Sequence, residues 1–299
     1  MLIDSHVHIL AARHFDDRYR KEVGETGDID LDLVAAQMER LHIDKYVVLP
    51  QDMTRIWRSR ITNEFVFDFV RTHPEKTIGF ASAEVLDDMG RFNAAGLDEF
   101  ESAVRDLGLK GLLLTPPYGH YRPDIPAAYP FYQKAVELDV PLYFHQSAQG
   151  GPAVLAPLKY ADPICIDRIA NDFPSLRICV EHMGYPWTQQ LLALMAHAPN
   201  VYTDVSAAFF RPQLLARNLL MAKEYGVIDR ILYGSDYWYR KDQPAWEGQI
   251  RREIQWLQTD LNKIARSHSW RVFDEKEIRG ILGQNAARFH RLEHAPNTG

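Results

Sequence analysis

Short runs of apolar, β-branched and aromatic residues alternate along the chain with longer segments in which apolar residues recur at helical spacing. Eight short runs predict strands at residues 2–10, 45–49, 77–83, 109–115, 141–145, 177–181, 200–205 and 230–233. The longer segments predict helices at residues 32–41, 63–72, 97–107, 130–138, 164–173, 188–198 and 213–225. This alternation is typical of repeated βα units around a parallel sheet.

Residues at the predicted boundaries agree with this pattern. Asp30 or Asp32 is placed to cap the first helix and Thr62 the second. Eight strands alternating with helices predict a (β/α)₈ TIM barrel, a fold that needs about 250 residues. The runner-up is a doubly wound sheet, which usually has a glycine-rich phosphate turn after its first strand. This sequence has no such turn there.

The chain of 299 residues is long enough for one barrel with extended βα loops. We expect a single domain over residues 1–292 and a frayed tail at 293–299. Residues 11–30, residues 116–130 and the segment after Asp236 are longer than packing requires, so they are expected at the active-site mouth. Residues 237–269 form either a helical lid or a packing element.

Composition narrows the class of protein. Hydrophobic residues make up 46% and charged residues 25%, which excludes collagen-like, disordered and disulfide-scaffold proteins. The net charge of −6 argues against nucleic acid as a partner. No basic start precedes an apolar run and no apolar stretch is long enough to cross a bilayer, so we expect a cytoplasmic protein without a membrane partner. Cys165 and Cys179 are expected to be reduced core thiols.

Candidate chemistry lies where predicted strands end. His6 and His8 are two residues apart on the first strand, so both imidazoles project from the same face. Three further polar residues end the fifth, sixth and eighth strands, and these are His145, His182 and Asp236. Because the carboxyl ends of barrel strands surround one opening, we expect these side chains to converge.

Three imidazoles and one carboxylate suit Zn²⁺, with Mn²⁺ and Fe²⁺ as alternatives. We therefore predict a single divalent ion held by His6, His8, His145 and Asp236. Such an ion lowers the pKa of bound water toward about 7 and polarises a carbonyl or carboxylate oxygen. His182 is then free as a catalytic acid or base, and Asp236 is also placed to accept a proton from water.

A series of motifs carries a resemblance to a known family. They are IDSHVH at 3–8, GLKG at 108–111, FHQ at 144–146, EHMG at 181–184, NVYTD at 200–204, YGSDY at 233–237 and GQNAARF at 283–289. In order and spacing they resemble the amidohydrolase-related (amidohydrolase 2) family of the metal-dependent hydrolase superfamily, over nearly the whole chain. The resemblance implies a distorted TIM barrel with the same four metal ligands and a catalytic His182.

Members that resemble this chain include aminocarboxymuconate-semialdehyde decarboxylase, aromatic-acid decarboxylases and lactonases. The first hypothesis is therefore a metal-dependent hydrolase, in which a metal-bound hydroxide attacks a small organic ester, lactone or amide. The second is a non-oxidative decarboxylase of a cyclic or muconate-like acid, and the third is a non-catalytic barrel. An arginine pair at the mouth would favour the decarboxylase, and an open mouth without one would favour the hydrolase.

Two further expectations concern the number of metals and the substrate. Binuclear superfamily members carry a bridging lysine at the end of strand four, whereas Lys110 begins that strand, which indicates one metal. Arginines in the loops offer charged forks for a substrate carboxylate, and aromatic residues offer a wall for a planar ring. The candidates for these contacts are Arg55, His120, Arg122, Arg211 and Trp238. Related decarboxylases tend to be dimers, so a homo-oligomer is expected by analogy.

Overall fold

The computed structural model describes residues 1–15, 31–148, 156–239 and 246–292. The strands in this part of the chain are β1 (Ile3–Ile9), β2 (Lys45–Val48), β3 (Asp52–Met53), β4 (Ser59–Arg60), β5 (Thr77–Gly79), β6 (Ala81–Ser82), β7 (Leu112–Leu114), β8 (Leu142–Phe144), β9 (Ile178–Val180), β10 (Val201–Asp204), β11 (Ile231–Leu232) and β12 (Tyr237–Tyr239).

All pairings between the main strands are parallel. One sheet has the order β12-β1-β2-β5 and another has the order β11-β10-β9-β8-β7-β6. Only Phe80 separates β5 from β6, and its N–H donates to Val48 O while the next N–H donates to Gly111 O, so this segment joins the two sheets. Ser5 N donates to Tyr233 O at 2.9 Å and links β11 to β1. The strands therefore follow one another around a ring, as a TIM barrel requires.

Helices surround these strands. They are α1 (Leu31–Leu41), α2 (Thr54–Trp57), α3 (Asn63–Val70), α4 (Ala94–Arg105), α5 (Pro116–Gly119), α6 (Tyr129–Glu137), α7 (Ile166–Asp172), α8 (Thr188–His197), α9 (Pro212–Glu224), α10 (Trp246–Gln255), α11 (Leu261–Ser267), α12 (Glu275–Arg279) and α13 (Asn285–Phe289). Two π-helical stretches, Trp256–Asp260 and Gly280–Gln284, join α10 to α11 and α12 to α13.

The C-terminal helix closes one end of the barrel. Phe289 of α13 packs against Tyr143 and Tyr202, with ring centroids 5.7 and 4.9 Å apart. These rings belong to a buried cluster with alternate residues of the strands, among them Val47 and Leu113. Alternate strand residues face the same side, so this cluster fills the barrel interior at that end. A substrate can therefore enter only from the opposite end.

The structure confirms the predicted barrel and each of the eight predicted strands, which are shorter than the apolar runs suggested. Thr62 caps its helix by accepting a hydrogen bond from Phe65 N. The first helix already begins at Leu31, so Asp32 lies within its first turn, and Asp30 lies outside the described residues. Both cysteines are buried and free, as expected. The predicted tail at 293–299 also lies outside the described part of the chain.

The sequence pattern missed the antiparallel hairpin of β3 and β4 and the short strand β12. Helices α10 and α11 lie in the segment 237–269, which was expected to form either a lid or a packing element. Their apolar faces are buried in the core. Ile250, Leu257 and Leu261 are each 1% exposed or less. In its described residues this segment is therefore a packing element.

Candidate metal centre

The two histidines of β1 and Asp236 bring three donor atoms together. His6 Nε2 lies 3.0 Å from His8 Nε2. Asp236 Oδ1 lies 3.5 Å from the first of these nitrogens and 3.3 Å from the second. Ligands about 2.1 Å from a tetrahedral ion are separated by about 3.4 Å. The triangle therefore has the dimensions of one face of a metal site.

The backbone places Asp236 beside β1. Its N–H donates to His6 O at 2.9 Å, immediately after β11 has turned towards β12. A Cβ atom at Gly234 would lie 2.7 Å from His6 Cβ, so only glycine lets this segment pass so close. The local sequence Gly-Ser-Asp thus delivers a carboxylate to the two imidazoles.

Hydrogen bonds at the far side of each ring fix the direction of the histidines. His6 Nδ1 donates to Asp204 Oδ2 at 2.9 Å, and His8 Nδ1 donates to Leu49 O at 2.5 Å. Each imidazole then directs its Nε2 atom to the shared point. Such partners are the usual means of orienting metal-binding histidines.

The electrostatics of the site favour a cation at the point where the three donor atoms meet. Burial lowers the pKa of His8. Burial also acts to lower the pKa of His6, but surrounding carboxylates raise it to about 10. These carboxylates belong to Glu181, Asp204 and Asp236. Burial acts to raise the pKa of Asp236, yet the bond to His8 and the charge of His6 hold it below its usual range. Positive charge is therefore stabilised where the three donors meet.

His145, the fourth predicted ligand, contacts Glu181 and His182 and is not among the described side chains whose donor atoms converge with those of His6, His8 and Asp236. Its Nδ1 donates to Glu181 Oε2 at 2.8 Å, and its ring stacks on Tyr118 with centroids 4.6 Å apart. Its Nε2 is buried and has no hydrogen-bond partner among the described residues. Burial lowers the pKa of His145 to about 4, so the ring is neutral at physiological pH. A neutral imidazole with a free lone pair is the form that binds a metal.

His182 follows β9 and faces the same space. Its Nδ1 lies 2.7 Å from Ser206 Oγ, and its Nε2 lies 3.3 Å from His145 Nδ1. Asp204 Oδ1 accepts a hydrogen bond from the backbone N–H of His182 at 2.9 Å. Burial lowers the pKa of His182, so it is neutral near pH 7 and able to accept a proton.

Backbone strain collects at this site. His182, Met183 and Asp236 have φ angles of 58°, 53° and 57°. Non-glycine residues rarely adopt this left-handed conformation, which persists where the surroundings enforce it and is frequent at functional sites.

A cavity of about 450 Å³ opens onto these groups, and we name it the donor cavity. Among the residues lining it are Gln51, Trp57, Tyr118, His145, His182, Arg211, Asp236 and Trp238. Two of the aromatic rings contact proposed donors, since Trp238 lies 4.4 Å from the His8 ring and Tyr118 lies 4.6 Å from the His145 ring, measured between centroids. Arg211 lies over the Tyr185 ring, with its guanidinium carbon 4.7 Å from the centroid.

The structure brings two of the five predicted substrate contacts, Arg211 and Trp238, to the donor cavity. Arg55 instead lines a separate cavity and donates to Asp87 O at 3.0 Å. Arg122 makes two hydrogen bonds of 2.9 Å to Asp124, which occupy its guanidinium.

His120 lies in neither lining set and stacks on Tyr160, with ring centroids 5.9 Å apart. Lys110 is exposed and precedes β7, so it lies at the amino-terminal side of that strand and not at its end. Phe209 packs against Tyr233 and Trp256.

Sequence reasoning missed Asp204, Ser206, Gln51 and Trp57. Asp204 ends β10 in the segment NVYTD, so the rule that selected polar residues at strand ends would have found it. Trp57 lies in α2, between the two strands of a hairpin that the hydrophobic pattern does not mark.

Comparisons with known proteins identify the family of this chain. The model of the family described as amidohydrolase matches residues 3–292. A 2-keto-4-carboxy-3-hexenedioate hydratase from Sphingobium sp. strain NBRC 103272 / SYK-6 is 35% identical over 170 residues. That match covers 48% of this chain and 48% of the hydratase. The matched part therefore spans about half the length of that curated relative.

Solved structures share the fold at low sequence identity. A TIM-barrel protein of Bordetella bronchiseptica described as uncharacterized is 20% identical, with a TM-score of 0.66 and coverage of 96% of this chain and 97% of its own. A probable 2-pyrone-4,6-dicarboxylic acid hydrolase from Acinetobacter baumannii, solved with citric acid, is 15% identical, with a TM-score of 0.64 and coverage of 97% and 99%.

A third structure with the same fold contains a bound metal ion. It is a dihydroxybenzoic acid decarboxylase from Polaromonas sp. with bound manganese and the inhibitor 2-nitroresorcinol. It is 18% identical, with a TM-score of 0.65 and coverage of 99% of this chain and 98% of its own. In the described part of the present chain, no helix combines the length and apolar character that crossing a bilayer demands.

Proposed function

This chain belongs to the amidohydrolase family, and from that premise we propose that it is a metal-dependent hydrolase of a small carboxylated ester or lactone. One observation carries the proposal, namely the convergence of His6 Nε2, His8 Nε2 and Asp236 Oδ1 within 3.5 Å of one another. No lysine or arginine of the described residues pairs with these atoms, and their separations suit a divalent ion.

We assign the ion to His6, His8, His145 and Asp236. When bound, it supplies a Lewis acid that polarises a substrate oxygen and acidifies water. The chain's own contribution is to hold four donors in fixed directions. It does so through Asp204 behind the first imidazole and through the Leu49 carbonyl behind the second.

His182 is proposed to move the proton. Its Nδ1 is anchored at Ser206, so its Nε2 faces the donor cavity as a neutral acceptor. A proton taken from water at this atom can be returned to the leaving oxygen of the substrate. Asp236 Oδ1 lies beside the same space and also accepts a hydrogen bond from Trp238 Nε1 at 3.3 Å. This bond holds the Asp236 carboxylate against Trp238, which forms one wall of the cavity.

Arg211 is proposed to bind the substrate carboxylate. Its contact with the Tyr185 ring holds the guanidinium at the cavity wall, and the described chain gives it no carboxylate partner. Guanidinium groups bind carboxylates through two parallel hydrogen bonds. Trp57, Tyr118 and Trp238 line the space between this cation and the metal donors, which suits a flat substrate.

Decarboxylation is the second candidate, favoured by the aromatic walls and by the decarboxylase among the similar structures. Arg211 is the single arginine among the described residues that line the donor cavity, rather than one of a pair, which supports hydrolysis. The hydratase relative, like a hydrolase, uses water as a reactant. Zinc as the ion, a cytoplasmic location and a homo-oligomer stay predictions.

The decisive experiment combines metal loading with product analysis. Protein stripped by a chelator is reloaded with Zn²⁺, Mn²⁺ or Fe²⁺ and assayed against lactones, esters and aromatic acids for acid release and carbon dioxide release. We expect metal-dependent acid release, and His182→Ala is expected to keep its metal while losing at least about 100-fold in kcat. Equal activity of stripped and loaded protein would refute the mechanism, and carbon dioxide release would select the second candidate.

A further inference from the structure

Asp204 is a buried carboxylate at the end of β10, and the proposed function uses it only to orient His6. Its Oδ1 accepts hydrogen bonds from the backbone N–H groups of His182 and Ser206, at 2.9 and 3.1 Å. Its Oδ2 accepts the bond from His6 Nδ1. A carboxylate that accepts several N–H bonds is stabilised in its ionised form, in which it has no hydrogen to donate. Each group bonded to Asp204 therefore supplies the hydrogen itself.

The Ser206 hydroxyl is one of these groups, since it bonds to Asp204 Oδ1 and gives its hydrogen to that bond. A hydroxyl has a single hydrogen, so Ser206 Oγ can only accept at its other contacts. One contact is His6 Nδ1 at 3.1 Å, which is already a donor to Asp204. The other is His182 Nδ1 at 2.7 Å. That nitrogen must therefore carry a hydrogen as well.

Two further contacts of the His182 ring lead to the same assignment. Its Nδ1 lies 3.2 Å from the backbone carbonyl oxygen of Ser206, which can only accept. Its Nε2 lies 3.3 Å from His145 Nδ1, which donates to Glu181 Oε2. A hydrogen on His182 Nε2 would point at the hydrogen on that nitrogen. The neutral ring thus carries its hydrogen on Nδ1 and none on Nε2.

We propose that Ser206 and Asp204 are positioning residues that hold His182 in the tautomer with its hydrogen on Nδ1, so that Nε2 is the proton acceptor in the donor cavity. This inference rests on the proposed proton transfer at His182. Asp204 acts on His6 directly and on His182 through Ser206, so one carboxylate places the hydrogen of both rings at Nδ1. One ring then offers Nε2 to the ion and the other offers it to a proton. A histidine in the wrong tautomer cannot accept a proton at the atom that faces the substrate.

The tautomer can be read from the ¹⁵N resonances of the ring, without any assay of activity. Wild-type protein with ¹⁵N-labelled histidines is loaded with Zn²⁺, which is diamagnetic, and measured at pH 8. Signals that are missing from the spectrum of His182→Ala belong to His182, and couplings to the ring C–H groups distinguish Nδ1 from Nε2. We expect the hydrogen on Nδ1. A hydrogen on Nε2 would overturn this inference and leave the proposed metal site intact.

Ser206→Ala tests the hydroxyl, because it removes the link between Asp204 and His182 while the bond from His6 to Asp204 stays. We expect metal content within about twofold of wild type, part of His182 in the other tautomer, and kcat at least about 10-fold lower with little change in KM. Ser206→Thr keeps a hydroxyl and should recover most of this loss. Ser82→Ala is the matched control, since Ser82 is 1% exposed and its hydroxyl has no hydrogen-bond partner among the described residues. Wild-type kcat in Ser206→Ala, or an equal loss in a folded, metal-loaded Ser206→Thr protein, would overturn the proposal.

Asp204→Asn tests the shared carboxylate and should act on the metal instead. The amide oxygen has to face the backbone N–H groups of His182 and Ser206, so the NH₂ group takes the place of Oδ2 and opposes His6 Nδ1. We expect metal affinity about 10–100-fold lower, in contrast to Ser206→Ala. Wild-type affinity in Asp204→Asn would overturn the role of Asp204. A wild-type protein that binds no divalent ion would overturn the proposed function, a failure separate from a wrong tautomer in a protein that does bind one.

Discussion

Two cavities of similar size differ in their charged groups: Asp236 is the one carboxylate among the described residues that line the first, whereas several carboxylates and two arginines line the second. The donor cavity has a volume of about 450 Å³ and the second about 510 Å³. We name the second the arginine cavity. The residues lining it include Asp52, Arg55, Arg60, Glu84 and Glu99. Gln51 and Asp52 are neighbours in sequence, yet the first lines one cavity and the second lines the other.

The difference lies in the source of positive charge. In the arginine cavity, Arg60 Nε lies 3.0 Å from Asp52 Oδ2, and the same guanidinium bonds to Glu99. In the donor cavity, Asp236 lies beside His6 and His8 and accepts a hydrogen bond from Trp238, and no lysine or arginine among the described residues pairs with it. Carboxylates with their own arginine form a salt-bridged wall, whereas a carboxylate beside imidazoles provides the donor set of a metal ion.

Protonation separates the two cavities further. Burial raises the pKa of Glu84 to about 8, so this carboxyl group is neutral at pH 7 beside Asp52. The pKa of Asp236 is held below its usual range by its hydrogen bond to His8. Only an ionised carboxylate is a good metal ligand. The comparison therefore predicts that equivalent substitutions in the two cavities have different consequences.

The largest contrast is expected between Asp236→Asn and Asp52→Asn. The first replaces a proposed metal ligand, so we expect less than a tenth of the wild-type metal content and a loss of at least about 1000-fold in kcat/KM. The second changes a carboxylate that is salt-bridged to Arg60, so metal content should stay within about twofold of wild type. Elemental analysis of the purified proteins measures both, and metal loss in Asp52→Asn would break the distinction.

Arg60→Met removes the arginine that pairs with Asp52 and Glu99 in the arginine cavity. Asp52 is 3% exposed and would be left without its charged partner, which should lower the free energy of unfolding by about 3 kcal/mol. Metal content should not change. Arg122→Met is a matched control, because its pair with Asp124 is exposed and should contribute only about 0.5 kcal/mol. Urea unfolding compares the two, and equal effects would show that Arg60 does not neutralise a buried charge.

The next contrast depends on pH and is expected from Glu84→Gln, whose gain in the free energy of unfolding over wild type should be largest at pH 9. The pKa of this carboxyl is near 4.5 when unfolded and about 8 when folded, so the folded state holds the proton more tightly. Wild-type stability is therefore greatest below pH 4.5 and falls as the pH rises to 8. Glutamine cannot ionise, so the variant gains stability over wild type through that window. Unfolding curves at pH 5, 7 and 9 test this, and parallel pH profiles would contradict it.

The barrel could be predicted from the sequence because its signal is local and repeated. Each apolar run marks a strand, and parallel topology then forces the strand ends to one side. This rule alone predicts that His6, His8 and Asp236 lie close together, although Asp236 is 228 positions after His8 in the sequence. No knowledge of side-chain packing was needed for this step.

The contacts that side chains make within loops leave no such repeated pattern in the sequence. Arg55, Arg122 and Arg211 are equivalent as residue types, but their positions in the structure differ. Arg122 could have been set aside from the sequence, since Asp124 stands two residues later. Glu181 stands beside a candidate catalytic histidine in the sequence, but neither its burial nor its unpartnered oxygen shows until the strands are assembled.

The smallest predicted contrast concerns those arginines. Arg211→Gln should raise KM for a carboxylated substrate about tenfold, equivalent to about 1.4 kcal/mol, because a charge-assisted pair is replaced by a neutral hydrogen bond. The value of kcat should change little, since Arg211 contacts the Tyr185 ring rather than the metal donors. Arg55→Gln changes the same residue type in the arginine cavity and should leave both constants unaltered. The test uses steady-state kinetics with two compounds: a substrate identified in the assay of lactones, esters and aromatic acids, and the methyl ester of that substrate. The ester should be insensitive to Arg211→Gln, and an equal rise in KM for acid and ester would exclude this arginine as the carboxylate anchor.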